Sequence, residues 1–122
     1  MKIGSLFSCI GGLDLGIERA GLGSVSWQVE IDPYYRDVLA NHWPDAERFD
    51  DVRTVGASNL SPVDIIIGGF PCTDISPAAE ARTVKGRRGL DGDESGLWSE
   101  FARVVREVEP TWALVENVYS GW

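Results

Sequence analysis

Short, nearly continuous apolar runs that alternate with helix-like segments constrain the fold of this 122-residue chain more than any other feature. The two clearest runs are residues 63–67 and 112–115. Runs that are apolar on both faces are typical of parallel strands covered by helices on each side of a sheet. The pattern therefore predicts one α/β domain over residues 1–122 with a doubly wound, mostly parallel sheet. Five strands are predicted, at residues 2–7, 25–30, 47–52, 63–68 and 112–116.

Three helices are predicted between these strands. In the first, apolar residues from Ile10 onward fall at helical spacing until Gly21 ends the segment. Asp32 and Pro33 predict the start of the second helix, as an N-cap side chain followed by a first-turn proline. The strongest apolar repeat covers residues 97–108 and is followed by a proline, which predicts the third helix.

The charge of the chain is negative overall but positive in one segment. Nineteen acidic and eleven basic side chains give a formal net charge of −8, which argues against a protein whose whole surface binds nucleic acid. Residues 73–94 fit neither the strand nor the helix period, and connections of this length are usually functional or disordered. Four of the eleven basic residues lie within seven positions of this segment: Arg82, Lys85, Arg87 and Arg88.

The sequence contains neither a membrane-spanning run nor a secretory signal. Its longest apolar runs are only a few residues long, and its two cysteines are too few for a disulfide framework. We therefore expect a reducing, cytoplasmic location and no membrane partner.

The predicted strand ends carry the candidate functional residues. Ligands of open parallel sheets bind beyond the carboxyl ends of the strands, where the loops converge. A glycine pair after the first strand permits a tight turn and close ligand approach. Glu30 ends the second strand, where α/β folds hydrogen-bond ribose hydroxyls, although a solvated carboxylate fits this position equally well. The residues at these ends are Gly11, Gly12, Glu30, Asp51, Cys72 and Glu116.

Two of these side chains are candidates for catalysis. Cys72 follows a glycine pair and a proline that can aim its thiol out of the sheet, where the basic segment could activate it. A small buried hydrophobic role is the commoner fate of a free cysteine. Glu116 follows the most hydrophobic strand, so we expect a partly desolvated carboxylate suited to proton donation, or alternatively a hydrogen-bonded cap. His42, the only histidine, is interpreted as structural or solvated, which leaves no Cys–His pair.

Three motifs in this order resemble those of the DNA cytosine-C5 methyltransferases, and the likeness runs from Ile3 to Val118. SLFSCIGGLD at residues 5–14 is similar to the family's first motif, GGFPC at 68–72 to its nucleophile motif, and ENV at 116–118 to its acidic triplet. The resemblance implies a Rossmann-like, S-adenosylmethionine-dependent methyltransferase fold.

The resemblance also implies a site with two parts and no metal ion. Cys72 would add to C6 of a cytosine flipped out of double-stranded DNA, and Glu116 would assist as a proton donor. S-adenosyl-L-methionine would be held by Phe7, Gly11, Gly12, Leu13, Glu30, Ile31, Asp51, Val52, Pro71 and Leu97. The DNA would be contacted by Ser76, Arg82, Lys85, Arg87, Arg88 and Asn117.

The chain departs from the family pattern in three places within its length. Cys9 stands where glycine is usual, Thr73 follows the nucleophile where glutamine is common, and Pro77 and Glu80 lie in the basic segment.

A fourth departure is length, because the sequence stops at Trp122, just after the predicted fifth strand. We therefore expect a truncated or split form without a target-recognition domain, with a complementary subunit as a possible partner. The alternatives are a non-catalytic remnant that pairs through an open sheet edge and a dinucleotide-dependent oxidoreductase, although the glycine spacing does not favour the latter.

Overall fold

Five parallel strands form one sheet in the computed structural model, which describes residues 1–69 and 97–117. Their order is β3-β2-β1-β4-β5, so the chain reverses its direction across the sheet between β1 and β4. The α/β class and the parallel, doubly wound arrangement are confirmed. The strands are β1 (Lys2–Leu6), β2 (Ser24–Val29), β3 (Glu47–Phe49), β4 (Ile65–Gly68) and β5 (Trp112–Val115).

Helices cover the sheet, and side chains near a helix end help to determine where the helix begins. The described helices are α1 (Gly12–Arg19), α2 (Pro33–His42) and α3 (Leu97–Val108), with a short 3-10 turn at Val52–Thr54. The predicted N-cap of α2 is confirmed, since the Asp32 carboxylate accepts a hydrogen bond of 2.8 Å from the Tyr34 backbone N–H. No helix among the described residues is long and apolar enough to cross a membrane.

The first helix begins later than the sequence pattern predicts. Ile10, which was expected on its apolar face, precedes the helix and is 55% exposed. The cause is Gly11, whose left-handed backbone (φ 83°) lies at the N-cap and prevents the helix from extending backwards. The inward-facing assignment of Ile10 is therefore wrong, whereas that of Ile17 is confirmed by its burial in the core.

The core has two parts, one on each face of the sheet. The α3 face is the larger and includes Trp27, Ile66 and Phe101. The α1 face buries Ile3, Ile17, Ile65 and Ile67. Residues of the central strands thus point alternately into the two clusters, as expected for a sheet covered on both sides.

Strand β5 lies at one edge of the sheet and all its residues are exposed, so the central, covered position expected from its apolar run is wrong. It pairs with β4 alone among the described strands. Trp112 and Leu114 are 63% and 44% exposed, and they continue the row of Ile65 and Ile67 on the α1 face. The sheet therefore presents an apolar edge on which no described element packs.

Candidate functional site

A cavity of about 540 Å³ opens at the carboxyl ends of the strands, next to the reversal between β1 and β4. This is where ligands of doubly wound folds bind, and the volume lies within the range of small-molecule sites. Its wall is mainly apolar with several carboxylates and one guanidinium. The lining residues are Phe7, Cys9, Val29, Glu30, Ile31, Asp32, Tyr35, Asp50, Asp51, Val52, Arg53, Gly69 and Leu97.

The loop between β1 and α1 forms one wall of the cavity and is conformationally strained. Phe7 and Cys9 both adopt left-handed backbone angles, with φ of 54° and 52°. Such angles cost about 1–3 kcal/mol each for residues other than glycine. Gly11 is also left-handed, and a Cβ there would collide with the ring of Trp43. The surrounding structure must therefore hold this loop in place.

Glu30 is held as a fixed acceptor in the cavity wall. Its side chain is buried, with Oε1 accepting the Cys9 N–H at 2.7 Å and Oε2 accepting the Asp32 N–H at 2.9 Å. The Arg36 guanidinium donates to the backbone carbonyls of Glu30 and Ile31 at 2.9 and 2.8 Å. A carboxylate can accept about four hydrogen bonds, so both Glu30 oxygens retain acceptor capacity for a ligand.

The opposite wall is the 3-10 turn, which Arg103 anchors from α3. Its Nη2 donates to the carbonyls of Val52 and Val55 at 2.9 and 3.0 Å. Glu100 and Glu107 accept from the same guanidinium at 2.8 and 2.9 Å, and these hydrogen bonds raise the pKa of Arg103. Because α3 also supplies Leu97 to the cavity, this contact fixes two parts of the wall relative to each other.

Glu116 lies beside the end of β4. Its N–H donates to the Gly68 carbonyl at 3.0 Å, and a Cβ on Gly69 would lie only 2.7 Å from Glu116 Oε2. Gly69 therefore permits the close approach of this carboxylate to the strand end that precedes Cys72. The expected partial desolvation is wrong, because Glu116 is exposed at the open edge of the sheet.

The structure places only part of the predicted site. Phe7, Glu30, Ile31, Asp51, Val52 and Leu97 line the cavity, whereas Gly11 and Gly12 lie at the start of α1 and Leu13 packs against the core. Asn117 is partly buried and follows Glu116. The remaining predicted residues, which lie outside the described part of the chain, are Pro71, Cys72, Ser76, Arg82, Lys85, Arg87 and Arg88.

Sequence reasoning did not assign several cavity residues. Tyr35 lies in the first turn of α2, and Asp50 directly follows β3, so its position after a strand was the available signal. Cys9, which stands where glycine is usual in the family, also lines the cavity. Within residues 1–69 and 97–117, His, Cys, Asp and Glu side chains form no cluster of three that could hold a metal ion.

Comparison with known proteins identifies the family. The family model for C-5 cytosine-specific DNA methylases matches residues 1–120, and the chain belongs to this family. It is 35% identical to the Type II methyltransferase M2.BsuMI of Bacillus subtilis, with 97% of this chain and 29% of the relative aligned. It is 37% identical to M1.HphI of Haemophilus parahaemolyticus, covering 93% of this chain and 31% of that relative. The chain thus spans about a third of the length of these relatives.

Solved structures agree with the fold. A protein described as a DNA modification methyltransferase, encoded within an Escherichia coli prophage, superposes with a TM-score of 0.75 at 32% identity, over 98% of this chain and 32% of that one. The Dnmt2 methyltransferase of S. pombe gives 0.73 at 17% identity, over 99% and 37% of the respective chains, and supports the fold alone. These comparisons confirm the predicted Rossmann-like methyltransferase fold.

Proposed function

We propose that this chain is the cofactor-binding and nucleophile-bearing part of a DNA cytosine-C5 methyltransferase, located in the cytoplasm. The observation that carries the proposal is the cavity at the strand ends, in which the buried Glu30 carboxylate is held by two backbone N–H groups. Family membership supports the reaction class.

The residues of the cavity fit S-adenosyl-L-methionine. Glu30 would accept hydrogen bonds from the ribose hydroxyls, and Ile31 would pack on the adenine. Asp51 and Val52 would contact the adenine edge. Phe7 would line the site, and Leu97 would help to close it. The carboxylates of the wall outnumber its single guanidinium, which suits a cationic sulfonium ligand. The bound cofactor would supply an electrophilic methyl group.

The chain's own catalytic groups would be Cys72 and Glu116. The Cys72 thiolate would form a bond to C6 of a flipped cytosine while Glu116 donates a proton to N3, which gives C5 the electron density to take the methyl group. Loss of the C5 proton to a base would then expel Cys72 as a thiolate, and return of the N3 proton to Glu116 would restore the ring. The proximity of Glu116 to Gly69, three residues before Cys72, supports this pairing.

Double-stranded DNA is the proposed partner of the basic segment. Ser76, Arg82, Lys85, Arg87 and Arg88 would contact phosphates of the target strand, and Asn117 would lie beside them next to Glu116. Phosphate contacts of this kind position a protein without reading sequence, so target selection would reside elsewhere.

The proposed working form is split or truncated, with a complementary chain joined at the edge of β5. Trp112 and Glu116 donate their N–H groups to Asp64 and Gly68 of the β4 side. Alternate residues of a parallel strand bond to opposite sides, so the N–H groups of Ala113 and Val115 point outward from the sheet. The exposed apolar edge supports this assembly.

Calorimetry with S-adenosylhomocysteine tests the cofactor site. We expect weak binding by the isolated chain and at least about tenfold weaker binding by Glu30→Ala, because a fixed acceptor for the ribose is lost. Glu47→Ala is the matched control, since Glu47 is an exposed carboxylate on β3 outside the cavity. Equal binding by wild type and Glu30→Ala would contradict the assigned site.

Methyl transfer to duplex DNA tests the split form. We expect no transfer by the isolated chain and transfer after mixing with a chain that carries the rest of the catalytic domain. Sequence-specific methylation by the isolated chain would overturn the split form but leave the reaction class intact. An inactive mixture in which the two chains bind each other would instead favour the non-catalytic interaction module.

A further inference from the structure

A buried polar network lies beneath the loop between β1 and α1 and has no part in the proposed chemistry. Its centre is Asp14, on the first turn of α1, which is 1% exposed. Ser5 Oγ of β1 donates to Asp14 Oδ1 at 2.7 Å, and Gln28 Nε2 of β2 donates to Asp14 Oδ2 at 2.7 Å. One carboxylate thus joins two neighbouring strands to the helix that follows the loop.

The network continues into the loop itself. Ser8 Oγ lies 2.9 Å from Ser5 Oγ and 3.2 Å from the Ser5 carbonyl, so the Ser8 hydroxyl can donate to either. Ser8 stands between the two left-handed residues Phe7 and Cys9. The Ser8 N–H also donates to the Val29 carbonyl at 3.1 Å, and its carbonyl accepts the Gly11 N–H at 2.8 Å. Ser8 therefore ties the strained loop to the network.

The loop in turn holds the proposed ribose ligand. The Cys9 N–H donates to Glu30 Oε1 at 2.7 Å, so displacement of Cys9 would release one of the two backbone contacts that orient this carboxylate. A continuous path of hydrogen bonds and one peptide unit leads from Asp14 through Ser5 and Ser8 to Cys9 and Glu30. Burial of an acid in a small core is costly, and networks of this kind rigidify a structure when their members are satisfied.

We infer that Asp14, with Ser5 and Ser8, is a positioning residue that holds the strained β1–α1 loop and thereby orients Glu30 for the cofactor. The inference rests on the proposed function for the identity of the ligand. Its structural half, that Asp14 holds the loop, can be measured without any ligand. Burial of Asp14 raises its pKa, and the hydrogen bonds from Gln28 and Ser5 act in the opposite direction.

Comparison of Asp14→Ala with Asp14→Asn separates a role of Asp14 in holding the β1–α1 loop from a contribution to overall stability alone. Alanine removes both acceptors. Asparagine keeps an oxygen that can accept from Ser5. Among the described residues, Gln28 Oε1 is a buried side-chain atom without a hydrogen-bond partner. If the Gln28 amide rotates by half a turn, the asparagine amide can donate to this oxygen. Ile17→Val, which removes one methyl group from the same helix, is the control for lost core packing. Ser8→Ala is a second, milder test should Asp14→Ala fail to fold.

The ligand-free measurement follows the Cys9 backbone amide. Its N–H donates to the buried Glu30 carboxylate at 2.7 Å, so its hydrogen exchange reports opening of the loop. We expect Asp14→Ala and Ser8→Ala to speed exchange of this amide by about tenfold or more, because the loop opens more often. Asp14→Asn should stay within about threefold of the parent, and Ile17→Val should lower the melting temperature without changing the exchange rate of this amide.

The second measurement is the S-adenosylhomocysteine dissociation constant of the same variants. We expect a rise of about tenfold for Asp14→Ala, a smaller rise for Ser8→Ala and rescue by Asp14→Asn. Loss of melting temperature alone in Asp14→Ala and Ser8→Ala, with an unchanged exchange rate of the Cys9 amide, overturns the inference. Absence of binding by the parent chain, combined with the expected exchange rates, would refute the cofactor assignment and leave the loop-holding role of Asp14 supported.

Discussion

Strands β4 and β5 are neighbours in the sheet and almost equally apolar in sequence, yet their environments differ completely. Every residue of β4 is buried, whereas every residue of β5 is exposed. Strand β4 lies between two strands and has a core cluster on each face, while β5 has one pairing partner among the described strands. An apolar run therefore predicts a strand but does not reveal whether the chain itself supplies the cover.

The largest expected effect is a difference between the two strands in the unfolding free energy lost when a side chain is truncated. Ile66→Ala on β4 removes a side chain with no solvent exposure and should reduce the free energy of unfolding by about 2–5 kcal/mol. Leu114→Ala on β5 should cost less than about 1 kcal/mol, because Leu114 already contacts water. Urea denaturation of both variants measures the contrast. Equal losses would show that β5 is covered in solution.

Substitution of Arg103 should give an intermediate loss of unfolding free energy, because Arg103 joins the helix before β5 to the 3-10 turn beside the cavity. Arg103→Ala leaves the Val52 and Val55 carbonyls without their charged donor and should cost about 1–3 kcal/mol. Arg106→Ala, an exposed arginine of the same helix, should change the free energy of unfolding by less than about 0.5 kcal/mol. Denaturation curves for the pair measure this difference, and similar losses would remove the anchoring role of Arg103.

A charge on the open edge should change association more than stability. Leu114→Lys places a cation on an exposed apolar edge, and charged side chains there oppose edge-to-edge pairing. We expect less self-association of the isolated chain, with a change in unfolding free energy within about 0.5 kcal/mol. Light scattering at increasing protein concentration measures it. A variant that associates as strongly as wild type would contradict an edge-mediated contact.

The smallest expected effect is a pH dependence from the buried centre of the sheet. Burial raises the pKa of Asp14 above its ordinary value of 3.8, so the folded state binds this proton more tightly than the unfolded state. The contribution of Asp14 to stability is therefore present below pH 3.8 and is lost as the pH rises through the raised folded-state pKa. Asp14→Asn does not lose this stability with rising pH, because asparagine does not ionise.

The stability difference between Asp14→Asn and wild type should thus shift in favour of the variant across that window and stay constant at higher pH. Unfolding curves at several pH values measure the difference. Comparison with wild type also removes the opposite trend expected from Glu107, whose pKa is lowered by its hydrogen bond from Arg103. A difference that does not depend on pH would contradict the raised pKa of Asp14.

The sequence predicted the elements and the strand ends because those depend on local patterns. The period of apolar residues located all five strands, and Asp32 with Pro33 located the start of α2. Side-chain environments depended on residues distant in sequence. The exposure of Glu116 follows from the position of β5 at the sheet edge, which no local pattern encodes.

The buried network was missed for the same reason. Ser5, Asp14 and Gln28 come from three different elements, and each alone reads as an ordinary polar residue. The left-handed angle of Cys9 was also unpredictable from its side chain, although its place next to a glycine-rich turn was a hint. Alternation of polar and apolar residues in β1 and β2 was the available signal, because both strands are central and buried polar residues there need partners.

The position of β1 has a consequence for how the chain acquires its structure. The first strand in sequence lies at the centre of the sheet, and its backbone is tied to Asp64, 62 residues further along. During synthesis from the amino terminus, β1 can pair early with β2, but its other side must wait until β4 has emerged. Non-local parallel pairing of this kind slows folding and leaves a strand edge open to other chains in the meantime.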